Sequence, residues 1–313
     1  MHRRAPPMRL ARERREGTAS VDASFLLQFL IAGLKNGSIY ALVALGFTIV
    51  YAATGIINFA QGEFYMLGGM TSVFVLTALK VPLAVAVACG VAITVLVGGA
   101  VERLALRPRR DAGPLVLIII TIGVSLLLRS LARHAFGPNE LALPAFSDGP
   151  SIVVIGAAIE RQTLWVWGIT TLAVAALWLI YEKTSFGRAM RACSISHEAA
   201  RLMGIDTAKV VAVSFMLAAG LGAIAGAVVA PLTQTSFEVG ARMGLKGFAA
   251  AILGGLGDFR AAVAGGLLLG VVESLSVAFI GSTYKDAIAL VVLLAVLFIR
   301  PQGLFGRAAR EKV

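Results

Sequence analysis

Apolar runs close to 20 residues long recur along this chain, near 64–79, 82–101, 114–133, 165–181, 210–230, 261–281 and 286–299. A helix rising about 1.5 Å per residue crosses the roughly 30 Å hydrocarbon layer in about that length. Lipid offers no water to backbone N–H and C=O groups, so only helices and closed barrels span it. These runs are too long and too uniformly apolar for barrel strands, which alternate in character over about ten residues. The expected fold class is therefore all-α, a polytopic transmembrane helical bundle of about 8–10 membrane segments. Composition agrees: 14% of residues are charged, against about a quarter in soluble domains.

The formal net charge of +11 raises the possibility of nucleic-acid binding, but its distribution argues against that. Basic residues sit in short clusters beside apolar segments: Arg3 to Arg15, Arg103 to Arg110, Lys183 to Arg191, and Arg300 to Lys312. Such clusters mark loops facing the cytoplasm and leave no continuous basic face for tracking phosphates. Residues 134–164 hold Glu140, Asp148 and Glu160 against Arg161 alone, so they should face outward, as should Thr233 to Arg242. Lys285 and Asp286 balance each other at a third outward turn.

Counting spans from an internal 182–209 loop puts Arg107 to Arg110 and the C-terminus inside, as the charge rule requires. It leaves the N-terminus open, because residues 25–53 are long for one span and short for two. Three units follow: a basic, disordered tail (1–24), a single transmembrane domain (25–306) with a polar segment at 187–209, and a cytoplasmic tail (307–313). An Arg-rich stretch before Phe25 to Leu34 resembles a signal peptide. However, apolar sequence resumes at Ile39 with no soluble domain to export.

Polar islands within this apolar chain carry the candidate chemistry. In the 187–209 segment, Ser196 is placed to cap a helix and Glu198 lies in its first turn, where the dipole favours a negative charge. Ala199, Ala200 and Arg201 follow, Gly204 suits a left-handed C-terminal stop, and Asp206 caps the next helix. Such a helix either docks a soluble partner or is an ordinary capped surface helix. A second island, Gly55 to Phe64, contains Asn58, Gln61, Gly62 and Glu63. It reads as a helix break, serving either as a translocation path or gate or as a tight turn at the cytoplasmic surface.

Lys246, in the short, glycine-dense stretch from Gly244 to Arg260, should place its ammonium among lipid headgroups, with a ligand-binding role as the alternative. Glu273 lies mid-span, where a charge costs roughly 2.5–3.5 kcal/mol, so it should face the bundle interior as half of a polar contact or as a pathway residue. Gly222 and Gly226, and Gly266 and Gly270, have the spacing of helix packing, either within one subunit or at a subunit interface. The chain has no phosphate-binding Gly-x-x-x-x-Gly-Lys-Ser/Thr loop, no His-Glu-x-x-His and no Gly-x-Ser-x-Gly. Cys89, Cys193 and three scattered histidines suggest neither a disulfide framework nor a metal site.

Asn36-Gly-Ser-Ile-Tyr through Tyr51, then Gly55-Ile-Ile-Asn-Phe-Ala-Gln-Gly-Glu-Phe-Tyr-Met-Leu-Gly68, resemble the start of the LivH-type permeases of branched-chain amino acid ABC importers. Glu198-Ala-Ala with Gly204 resembles the coupling motif of importer permeases, and Phe248 to Gly266 and Arg300 to Phe305 match the family's C-terminal half. The resemblance implies a multi-pass inner-membrane permease with no catalytic residues and no cofactor, moving substrate inward by alternating access driven by ATP. It also implies a second, LivM-like permease subunit, two ATP-binding subunits, a periplasmic binding protein and membrane lipid as partners. The same architecture serves urea, amides and other small acids. An ion-coupled secondary transporter would instead want paired intramembrane acids or an ion-binding unwound helix, for which Glu63 and Glu273 are the candidates.

Overall fold

The computed structural model describes residues 7–110, 112–300 and 302–306, with side chains from Ser24 onward. Eleven helices appear among them: α1 (Pro7–Thr54), α2 (Gln61–Leu79), α3 (Leu83–Val101), α4 (Pro114–Phe136), α5 (Arg161–Lys183), α6 (Ser185–Ile195), α7 (His197–Leu202), α8 (Thr207–Thr233), α9 (Val239–Gly254), α10 (Phe259–Ile280) and α11 (Lys285–Ile299). Eight of the described helical segments are long and apolar enough to cross a membrane. The 16-residue α9, which covers most of the glycine-dense stretch, is not among them. The chain is an all-α polytopic bundle.

The first apolar region forms one uninterrupted helix, with 83% of its most apolar window buried. Lys35 to Ser38 do not break it, because Gly33 and Gly37 press against the backbone of α10. A β-carbon on Gly37 would stand 2.8 Å from Leu267 Cα, and one on Gly33 would stand 2.8 Å from Val271 Cα. Gly266 and Gly270 meet α1 from the other side, and Gly222 and Gly226 meet Phe64 and Tyr65 of α2. Both small-residue pairs thus pack helices within this one chain, where close backbone approach maximises dispersion contact. As for the stretch expected to be a disordered tail, α1 begins at Pro7; residues 1–6 and 307–313 lie outside the described residues.

One end of the bundle gathers Thr54, Arg107, Arg110, His197 and Thr207 around a shared cavity. At the other end Gln28 of α1 exchanges hydrogen bonds with the backbone of Ala158 (2.9 and 3.1 Å), and Lys35 lies 3.6 Å from Glu160. The start of the apolar part of α1 therefore shares a face with residues 134–160, opposite the basic loops. The stretch 25–53, long for one span and short for two, is thus a single helix whose apolar part starts on the face of residues 134–160. Residues 134–160 also form a small hairpin, β1 (Ile152–Val154) paired antiparallel with β2 (Ala157–Ile159), and a bridge from Leu141 to Thr235.

This sidedness predicts a labelling pattern. A cysteine at exposed Asp148 should react with an impermeant maleimide in intact cells, and one at exposed Ser194 only after the inner face is opened. The reverse pattern would invert the topology. Cys193 itself is a poor reporter, because it is buried and burial raises its thiol pKa.

Candidate functional site

The chain leaves α1 at Thr54, turns at Gly55 (φ 72°) and climbs back into the bundle before α2 begins. Phe59 N–H donates to Thr121 Oγ1 (3.2 Å), about two turns into α4. Gln61 Nε2 donates to the Ala218 carbonyl (2.9 Å), about three turns into α8. Asn58, Gln61 and Glu63 are all buried, so the break lies within the bundle and is not a turn at the cytoplasmic surface. Asn58 Oδ1 accepts from Ala60 N–H (3.1 Å), a local side-chain turn that replaces the ladder bonds lost at the break.

Glu63, in the first turn of α2, is 1% exposed and accepts from Ser125 (2.9 Å) and from Arg129 Nη2 (2.7 Å), both on α4. Arg129 was not singled out from sequence. Yet an arginine inside an apolar span calls for an interior partner by the same argument applied to Glu273. Beside the pair lies a cavity of about 350 Å³ walled by Phe47, Phe59 and Phe248 and floored by Gly240 and Gly244.

Glu273 belongs to a separate cluster. It accepts from Tyr40 (2.8 Å) and from Lys246 Nζ (2.7 Å), and the same ammonium lies 2.7 Å from Asp286. Lys246 is therefore not a headgroup residue. Its side chain is 12% exposed, held by the buried Glu273 on one side and by Asp286, itself 61% exposed at the start of α11, on the other. The cluster ties α1, α9, α10 and α11 together but does not reach the break. Removing only the cation leaves two acids facing each other, at a cost of about 3–5 kcal/mol for an unpaired buried charge. Lys246→Met should thus lower the melting temperature markedly, and adding Glu273→Gln should restore part of it. Equal melting of Lys246→Met and the parent would show the cluster to be solvated.

The cytoplasmic segment folds as two helices divided at Ser196, whose backbone is extended (φ −160°, ψ 119°). Ser196 Oγ accepts from Ala199 N–H (3.2 Å), capping α7, with Glu198 in its first turn. At the far end, Ile205 N–H reaches the Ala200 carbonyl (3.0 Å) and Gly204 N–H reaches that of Arg201 (2.9 Å). Gly204 has φ 80°; together these features make a Schellman stop that requires a left-handed residue. Asp206 caps α8 through Lys209 N–H (3.1 Å), and that bond with the Lys209 ammonium holds its carboxyl below the usual range.

Ala200 is buried, and Arg201 turns inward to donate to Thr207 (3.2 Å). Ile195, Leu202 and Met203 are left widely exposed around the capped helix. This apolar tip went unread in the sequence, although three large apolar residues flanking a short polar helix signal it. A cavity of about 270 Å³ lies between α7 (His197, Arg201) and the start of the break (Thr54, Ile56).

A helical bundle with a buried, re-entrant break and a capped helix on its basic face defines a multi-pass membrane transport component. Residues 29–297 match the family described as branched-chain amino acid transport system / permease component, and the chain belongs to that family. It is 36% identical over 302 residues to the high-affinity branched-chain amino acid transport system permease protein LivH of Salmonella typhimurium, covering 92% of this chain and 98% of that one. It is 35% identical to BraD of Pseudomonas aeruginosa, a permease protein of the same description, at the same coverage. The ribose import permease protein RbsC of Escherichia coli is 27% identical over 87% of this chain and 86% of its own length. In fold, the chain is similar to PsaBC from Streptococcus pneumoniae solved with a Fab, at a TM-score of 0.51 and 10% identity, covering 91% of this chain and 96% of that one. The protein is a permease component of the inner membrane, not an enzyme.

Proposed function

We propose that this chain imports branched-chain amino acids, paired with a second, LivM-like permease subunit and driven by two ATP-binding subunits, with a periplasmic binding protein delivering substrate. The observation that carries the substrate class is the 35–36% identity over 92% of the chain to permeases named for those amino acids, against 27% to a ribose permease. Family membership implies ATPase and binding-protein components. The exposed Ile195, Leu202 and Met203 around α7 provide an apolar surface for docking an ATPase. In this reading the Asn58–Glu63 break lies on the translocation path, because unwound backbone inside a membrane belongs where it lines a cavity.

Glu63 and Glu273 lie in separate clusters, each with its own basic partner, and do not form the acid pair an ion-coupled carrier would want. That favours ATP-driven import over ion coupling. Reconstituting all five polypeptides in vesicles tests the reading: leucine uptake should require ATP and both ATPases. Uptake driven by an ion gradient with the ATPases left out would reject it, and uptake of urea or amides but not leucine would reassign the substrate.

A further inference from the structure

The pair formed by Glu63 and Arg129 has a geometry that a structural ion pair does not require. A buried pair is stable when the remaining lone pairs and protons of both groups are satisfied. Here Glu63 Oε1 takes both donors, Ser125 and Arg129, while Oε2 has no partner among the described residues and rests against Gly240. Arg129 Nε is buried and likewise without one, as are Gln61 Oε1 and Asn58 Nδ2 one turn away. The arginine side chain is 30% exposed and lines the adjoining cavity. The adjoining cavity has an aromatic wall: Phe248 stands 5.7 Å from Phe47 and 5.6 Å from Phe59, ring centre to ring centre.

We infer that this cavity is the station at which the permease reads its substrate, and that the ligand is a neutral α-amino acid zwitterion with an apolar side chain. The inference rests on the import reading above and assigns the residues that perform it. A zwitterion presents one ammonium and one carboxylate on the same carbon, the same two charges the protein holds against each other. The substrate ammonium goes to Glu63 and its carboxylate to the Arg129 guanidinium, so two ion pairs replace one and no charge is left unpaired. That exchange avoids the desolvation penalty that would exclude a bare ion from a bundle interior. The three phenylalanines, with Ile122, Leu126 and Leu245, then receive the side chain, and a second charge on that side chain would find no opposite charge among them. Selection for branched, uncharged amino acids thus arises in the membrane as well as in the receptor that delivers them.

The test uses the complete assembly, with the wild-type binding protein and ATPases, in vesicles with L-leucine as probe. Glu63→Gln, Arg129→Met and the double variant should each lower leucine uptake at least tenfold. ATP hydrolysis stimulated by loaded receptor should stay within twofold of wild type. The double variant buries no charge, so it should melt above either single variant while remaining transport-deficient. If the pair is only structural, the double variant recovers uptake together with stability, and the inference is overturned.

Where the double variant does not assemble with its partners, Phe248→Ala decides. Shortening the aromatic wall should lower the leucine-to-valine uptake ratio at least threefold, and an unchanged ratio overturns the assignment. A wild-type assembly that imports no leucine rejects the import reading, and this one with it. Wild-type import alongside normal transport by the double variant rejects this one alone.

Discussion

Leucine in place of Gly62 should reduce transport to below a tenth of the parent rate while the chain still reaches the membrane. A β-carbon at Gly62 would run into the Gly240 carbonyl oxygen and stand 2.7 Å from Gly244 Cα and 2.9 Å from Gly244 N. These are backbone atoms of α9, so no rotamer change relieves the clash, and α9 must move as a body. Overpacking of this kind costs about 1–3 kcal/mol even where neighbours can adjust. Here the shift also moves Gly240 away from Glu63 and opens the floor of the adjacent cavity. Alanine should give an intermediate rate. Leucine at Gly168 in α5, where a β-carbon meets nothing within 4 Å, should behave as the parent. Normal uptake by Gly62→Leu would show that the break is not on the path.

Changes at the cytoplasmic tip should uncouple the transporter instead of unfolding it. Leu202→Asp places a charge on the most exposed apolar residue of the tip, and an interface that buries a leucine loses about 1.5–3 kcal/mol with it. Glu198→Lys reverses the charge at the start of α7, where the helix dipole opposes a cation. Gly204→Val forces a branched residue into a left-handed conformation, costing roughly 1–2 kcal/mol, and misdirects the chain as it re-enters the membrane at α8. Each should cut uptake and loaded-receptor-stimulated ATP hydrolysis at least tenfold, with weaker co-purification of the ATPases; the permease alone should melt as the parent for Leu202→Asp and only slightly lower for the other two. If all three variants co-purify with the ATPases and transport normally, α7 is an ordinary surface helix.

Elements governed by neighbours in sequence were legible in the chain. The spans follow from apolar run length, and the caps at Ser196 and Asp206 and the stop at Gly204 follow from residue type at a helix end. Elements governed by distant partners were not. Lys246 reads as a headgroup lysine until Glu273 and Asp286 are brought beside it from two other helices. Glu63 reads as part of a turn until Arg129, 66 positions away, closes on it. The depth of the Asn58–Glu63 break depends on where α4 and α8 stand, which no local pattern reports. The hairpin at 152–159 stayed hidden because its strands are three residues each and mostly exposed, so no alternation of buried and exposed positions marks them.

The burial of α2 bears on how the protein is made. Of the eight candidate spans it has the lowest mean hydropathy, 1.3, while 72% of its window is enclosed by other helices. It carries Gln61 and Glu63 at the end that sits inside the bundle, and insertion scales charge about 2.5–3.5 kcal/mol for an acid at mid-membrane. Its partners for those groups, Ser125, Arg129 and Ala218, are all synthesised after it. During translation α2 must therefore wait beside α1, at the translocon or in its shelter, until α4 and α8 emerge to receive it. Final assembly of the permease is thus a late, post-insertion event, and a nascent chain stopped before Ser125 should hold α2 only loosely in the bilayer.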